Sequence, residues 1–253
     1  MTTAADTARR MAAAAMALLD ALDHTQRGKV AVDFTDAAER TNWHYVPRER
    51  AGLPLKKMDE SQRRLALALV ASGLSPSALQ KATTIMSLEG VLAGIEGPGR
   101  THARDPELYY VTLFGEVGAE TAWGWRFEGH HLSLNYTIVA DKLRSVPSFW
   151  GSNPAVCDFG PGRALVVLKV EEETARKLRL SLNDAQANQA IIADKAPRDI
   201  LTAALPKVEA LGKTGIAFSQ LEQDQKVLLT TLIKEYINRH RAVVAKEDWA
   251  KIE

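Results

Sequence analysis

The run Trp123-Gly-Trp-Arg-Phe-Glu-Gly-His-His-Leu-Ser-Leu-Asn-Tyr-Thr-Ile-Val139 constrains this chain more than any other stretch. It is the most strand-like segment, and strand side chains alternate between two faces. From His131 onward Leu132, Leu134, Tyr136 and Ile138 fall on one face, with His131, Ser133, Asn135 and Thr137 on the other. Upstream, Trp125 and Phe127 alternate with Arg126 and Glu128. One uninterrupted strand would place Arg126 and Glu128 among the leucines, where a charge is costly unless paired. A single-residue bulge at Gly129 removes the conflict, because glycine accepts the backbone angles a bulge needs. Trp125, Phe127, His130, Leu132, Leu134 and Tyr136 then share the apolar face. Arg126, Glu128, His131, Ser133, Asn135 and Thr137 share the polar one. The alternative is a tight hairpin at Glu128-Gly129 with two shorter strands.

This polar face is the expected site. Imidazole and carboxylate are the usual ligands of a catalytic divalent metal and the usual general acid/base pair. The expected metal ligands are His131, His130 and His44, holding zinc, iron or copper. Glu128 and Arg126 take the catalytic roles, the guanidinium gripping a substrate anion. Trp125, Asn135 and Trp43 contact the substrate, a small molecule or peptide. A non-catalytic binding module with an aromatic cleft of Trp43, Trp123, Trp125 and Trp150 is the second reading, and a paired, purely structural polar face the third. No Gly-x-Ser-x-Gly elbow supports a serine hydrolase.

Composition narrows the classes. The 253 residues are 46% hydrophobic and 25% charged, an ordinary globular balance. A net charge of +1 gives no field for nucleic acid or an anionic membrane, and no apolar run approaches a membrane span. The one cysteine, Cys157, cannot form an internal disulfide, which fits a reducing, cytoplasmic compartment. Cys157 reads as a small buried hydrophobe. Arg9-Arg10 before Met11–Leu19 has the outline of an export signal, but Asp20 and Asp23 follow directly and an alanine-rich helix is the better reading. A homodimer is expected only because dimers are the commonest oligomers.

The rest reads as α+β: a helical N-terminal part over 1–99, a central antiparallel meander over 100–170, and C-terminal helices over 171–253, in one domain. The first helix covers 4–24 and Gly28 ends it; residues 29–34 are extended. Trp43 to Val46 is extended because Pro47 disfavours helix before it. Asp59-x-x-Gln62 and Ser75-Pro76 start two helices. Residues 163–170 read as a strand, and Asp141–Arg144 as a polar tip. A helix begins at Ser181-x-x-Asp184 and runs to Lys195, and Ser219-x-x-Glu222 caps the last long one. Residues 245–253 open a helix that stops with no glycine or proline, the pattern of a chain that continues.

Several blocks resemble a bacterial family known as a domain of unknown function, number 3500 in its series. They are Trp43–Pro47, Arg50–Leu55, Lys81–Leu92, Arg104–Tyr110, Gly124–Asn135, Ser148–Pro154 and Lys195–Leu201. The resemblance brings no activity. It implies that members continue into a further strand-rich segment with Asn and His residues, which would complete a pocket.

Overall fold

The computed structural model describes residues 3–99, 101–118, 121–140, 142–209, 212 and 214–253. They form an α+β protein. The strands of its main sheet are β1 (Ala31–Val32), β2 (Leu53–Pro54), β3 (Tyr110–Phe114), β4 (Trp123–Gly129), β5 (Leu132–Val139), β6 (Lys142–Arg144) and β7 (Ser148–Trp150). Strands β3 to β6 are the expected antiparallel meander. The sheet as a whole is mixed, because β1 pairs in parallel with β3. β1 and β2 share one flank of β3, and β6 and β7 share the outer flank of β5. Of the expected tip at 141–144, Asp141 lies outside the described residues, and Lys142–Arg144 is strand.

The conflict in the 123–139 run is resolved by a hairpin rather than a bulge. Gly129 pairs with Leu132, leaving His130-His131 as a two-residue connection. The reversal thus falls just after the expected Glu128-Gly129. His131 takes the left-handed φ of 61° that such a turn requires. Gly129 is needed for a packing reason instead: a Cβ there would sit 2.5 Å from the Tyr109 ring. Register then sorts the faces. Trp125 opposes Tyr136 and Phe127 opposes Leu134, whereas Arg126 opposes Asn135 and Glu128 opposes Ser133.

Helices cover the apolar face: α1 (Ala4–Ala21), α2 (His24–Val30), α4 (Glu60–Gly73) and α5 (Pro76–Glu96); the short α3 (Ala37–Arg40) lies in the connection after β1 instead. Met11, Ala15 and Leu18 of α1, Leu69 of α4 and Ile85 of α5 form one core with Trp125, Phe127, Leu132 and Leu134. Each such side chain contributes about 1.5–3 kcal/mol on burial. Asp59 and Gln62 form the reciprocal cap of α4, and Ser75 caps α5 with Pro76 behind it. Tyr136 stacks on Trp125 at 4.3 Å, and its hydroxyl donates to the Gly73 carbonyl at 3.0 Å. A Cβ on Gly73 would overlap that ring at 2.7 Å, so helix and sheet approach through a glycine.

Local readings also needed correction. The first helix ends at Ala21, and α2 runs through Gly28, because Asp23 and Gln26 build a new cap. Of residues 163–170 only Ala164–Leu165 is strand (β9), paired with β8 (Cys157–Asp158). Helix α6 (Lys169–Ser181) already begins at Lys169. Helix α7 (Asp184–Ala190) is capped by Asn183 rather than Ser181, and stops before Ile191. After it come α8 (Gln223–Ile237) and α9 (Ala242–Trp249).

The chain divides into two compact units, Met1–Val167 with Asn238–Glu253, and Leu168–Ile237. In the smaller unit, buried Gln225 donates to the Ser181 carbonyl at 2.7 Å and accepts from Gln186 at 2.9 Å, tying α6, α7 and α8. No helix among the described residues is long and apolar enough to cross a membrane.

Candidate functional site

The second face of the hairpin is polar, as the alternation requires, but it is not open. Arg126 is 0% and Glu128 1% exposed, and Ser133 and Asn135 are buried with them. The strap of residues 33–51 covers this face. Glu39 receives Arg126 through both its carbonyl and its carboxylate. Glu128 accepts from the His44 amide at 2.9 Å and the Ser133 hydroxyl at 3.1 Å. Two guanidiniums flank its other oxygen, Arg126 Nε at 3.2 Å and Arg50 Nε at 3.5 Å. These are Coulombic contacts without hydrogen-bond alignment. Asn135 donates to Ser133 Oγ and to the Pro147 carbonyl, each at 3.0 Å.

Arg50 is fastened further. Its terminal nitrogens donate to the carbonyls of Arg48, His44, Val46 and Gly129. Burial pulls its pKa down and the Glu128 charge opposes that. Arg126, Glu128 and Asn135 do meet, as the alternation implied. They meet as an internal ionic cluster that closes a strap over a sheet.

The expected aromatic cleft is divided by the sheet. Trp125 lies on the apolar face with Phe127 and Tyr136. Trp43 packs with Tyr45 and Phe149, and Phe149 pairs with Ser133 on the opposite face. The three histidines have separate tasks. His44 Nδ1 accepts from the amides of Tyr45 and Val46 at 3.0 and 3.2 Å. His130 Nδ1 meets the Glu89 carboxylate at 2.5 Å. The His131 ring lies tilted by 40° against His130 with centroids 3.9 Å apart, and its Nε2 is buried without a hydrogen-bond partner among the described residues. Among the described residues no three His, Cys, Asp or Glu converge in a group able to hold a metal ion.

Beside His130 lies a cavity of about 440 Å³, lined by Arg48, Arg50, Glu89, His102, Tyr110 and His130 among others. Neither Arg126 nor Glu128 lines it. Tyr109 forms part of the wall and donates from its hydroxyl to the His130 carbonyl at 2.7 Å, pinning the turn; its burial raises its pKa. Arg104 grips Glu96 at the end of α5 through two nitrogens, at 2.8 and 2.9 Å, and so holds the 101–105 segment against the helix.

The Glu89–His130 pair has a defined polarity. Nδ1 cannot both donate to Glu89 and accept from Arg104 Nη1, which lies at 3.4 Å. The shorter contact decides, so Nδ1–H donates to the carboxylate. Glu89 thereby places the ring lone pair on Nε2, which has no hydrogen bond among the described residues. An imidazole oriented by a carboxylate, with a free Nε2, has the geometry that general-base catalysis uses.

Glu89 escaped sequence reasoning although a signal existed. It falls on the apolar stripe of α5, among Ala82, Ile85, Met86 and Leu92, and is only 4% exposed. A carboxylate on a buried stripe needs a partner, and His130 is that partner.

His131 sets a pH limit. Its pKa is lowered from 6.5 to about 4, first by burial of the ring, then by the charges of His130 and Arg104. Between these values the unfolded chain takes up a proton that the folded protein refuses. Stability is therefore whole above pH 6.5 and falls on acidification towards pH 4, by about 3 kcal/mol. Asparagine tolerates left-handed φ, so His131→Asn keeps the turn. Urea unfolding from pH 7 to 4 should show the wild-type advantage over His131→Asn shrinking by about that amount. A constant difference would mean that folding does not disfavour the cation.

No curated protein and no solved structure matches the chain. One family model does, and it spans the strap, the hairpin, the Glu89 helix and the Arg104 segment alike. It is described as Protein of unknown function (DUF3500), it matches residues 4–253, and the chain belongs to that family.

Proposed function

We propose that this protein is an acid–base enzyme acting on a small polar molecule held in the cavity beside His130. The observation that carries the reading is the Glu89–His130 contact of 2.5 Å in the wall of that cavity. His130 Nε2 accepts a proton from the substrate or from an attacking water, and Glu89 steadies the imidazolium that forms. Tyr110 and His102 line the same space and supply hydrogen bonds to the substrate. Arg48 offers a cation, and Glu49 and Asp105 offset it, so the ligand is polar without being strongly anionic. The size suits a small molecule.

The test pairs turnover with binding. A panel of small activated esters, amides, lactones and phosphoesters is assayed with wild type, His130→Ala and Glu89→Gln, and binding is followed by thermal shift. The expected result is turnover of at least one compound, reduced about 10²–10⁴-fold in His130→Ala with binding retained. Binding that depends on His130 without any turnover would support a non-catalytic module instead. Neither binding nor turnover would overturn the site.

A further inference from the structure

A second cavity, of about 700 Å³, lies where Thr7 and Arg10 of α1, Ser72 and Ser75 at the α4–α5 junction, and Arg241 and Lys246 at the start of α9 come together. Its lining is one-signed: Arg10, Arg241 and Lys246 are present and no Asp or Glu is. The cavity beside His130, by contrast, carries Glu49, Glu89 and Asp105. Neither Arg10 nor Lys246 has a carboxylate partner among the described residues. Arg241 donates to the carbonyls of Ser72, at 3.2 Å, and of Ala71. Those acceptors are carbonyls of the last turn of α4, whose partial negative charge offsets part of the guanidinium's while holding it in place. Its Nη1 makes no hydrogen bond among the described residues. Asp248, further along α9, is held by Lys251 at 2.5 Å.

A concave surface lined by one sign of charge concentrates the opposite ion. Helix α9 adds to this. Its N-cap, Arg241, gives no side-chain cap, and Ala242 and Val243 of its first turn line the cavity. The first amides of a helix favour an anion, here as a supplement to three cations.

We propose that this cavity binds the phosphate group of a small phosphorylated molecule. Three cations, Arg10 on α1 with Arg241 and Lys246 on α9, suit a tetrahedral dianion with oxygens in several directions; a planar carboxylate is satisfied by one guanidinium fork. The volume exceeds a phosphate, and Pro76, Val243 and Ala245 give the organic remainder an apolar wall. The hydroxyl of Ser75 and the side-chain amide of Asn238 line the same space. The site is independent of the proposed acid–base centre.

Isothermal titration with glucose 6-phosphate and with inorganic phosphate tests it, at ionic strength matched with sodium chloride. Arg10→Gln with Lys246→Gln is the informative variant, since both side chains are exposed and unpaired among the described residues. The expected result is saturable wild-type binding, weakened about tenfold or more in the double variant and unchanged in His130→Ala. No saturable binding up to about 10 mM, equal affinity in the double variant, or equal competition by chloride would each overturn the proposal.

Discussion

Replacing Glu128 with alanine will destabilise the fold by about 3–5 kcal/mol, the range for removing one partner of a buried ionic group. The carboxylate stands between Arg50 and Arg126, whose side chains are 3% and 1% exposed. Without it two buried guanidiniums remain with no carboxylate between them. Arg126 keeps Glu39, but Arg50 keeps only carbonyls. The His44 amide and the Ser133 hydroxyl also lose their acceptor. Most domains hold only about 5–15 kcal/mol in total, so the loss will show as a large drop in the denaturation midpoint. Glu128→Gln separates charge from hydrogen bonding. It keeps an acceptor for His44 and Ser133 and should recover only about 1 kcal/mol. Near-wild-type stability of Glu128→Ala in urea would show that the strap does not depend on this carboxylate, and would reopen a role for it in chemistry.

The second large effect is on the other face of the same strand. Trp125→Ala should cost about 3–5 kcal/mol, as for other large-to-small changes in a core. Trp125 is 1% exposed and stacked on Tyr136, which is itself fixed between Gly73 and His240. The hole cannot close by a shift of Tyr136 without breaking its hydroxyl's bond to Gly73. Trp125→Phe should be much milder. The indole N–H is buried with no hydrogen-bond partner among the described residues, so phenylalanine removes an unsatisfied donor as it removes volume. Equal losses in the two variants, measured by urea unfolding, would mean that the indole N–H carries an interaction of its own. Because the two faces share one strand, these changes also ask whether the strap and the helical layer unfold together. Coincident transitions by tryptophan fluorescence and circular dichroism in Glu128→Ala would show that they do.

What this chain settles by itself is local. Alternation through 123–139 divides Trp125 and Phe127 from Arg126 and Glu128, because strand geometry is a property of neighbouring residues. Asp59 with Gln62, and Ser75 with Pro76, start their helices because a cap acts within three positions. The same short range explains the errors. Asp23 with Gln26 restarts a helix across Gly28, and a generic strand pattern at 163–170 yields to the acids that open α6.

The candidate site depends on tertiary structure. Glu89 and His130 stand 41 positions apart, His44 and Glu128 84, and Arg126 and Glu39 87. No periodicity carries information over such separations. The sequence required partners for two charges on a strand and for a carboxylate on a buried helix stripe, since a buried charge is costly alone. Only the fold decided that the first pair would be sealed beneath a strap, and that the carboxylate would meet an imidazole at a cavity wall.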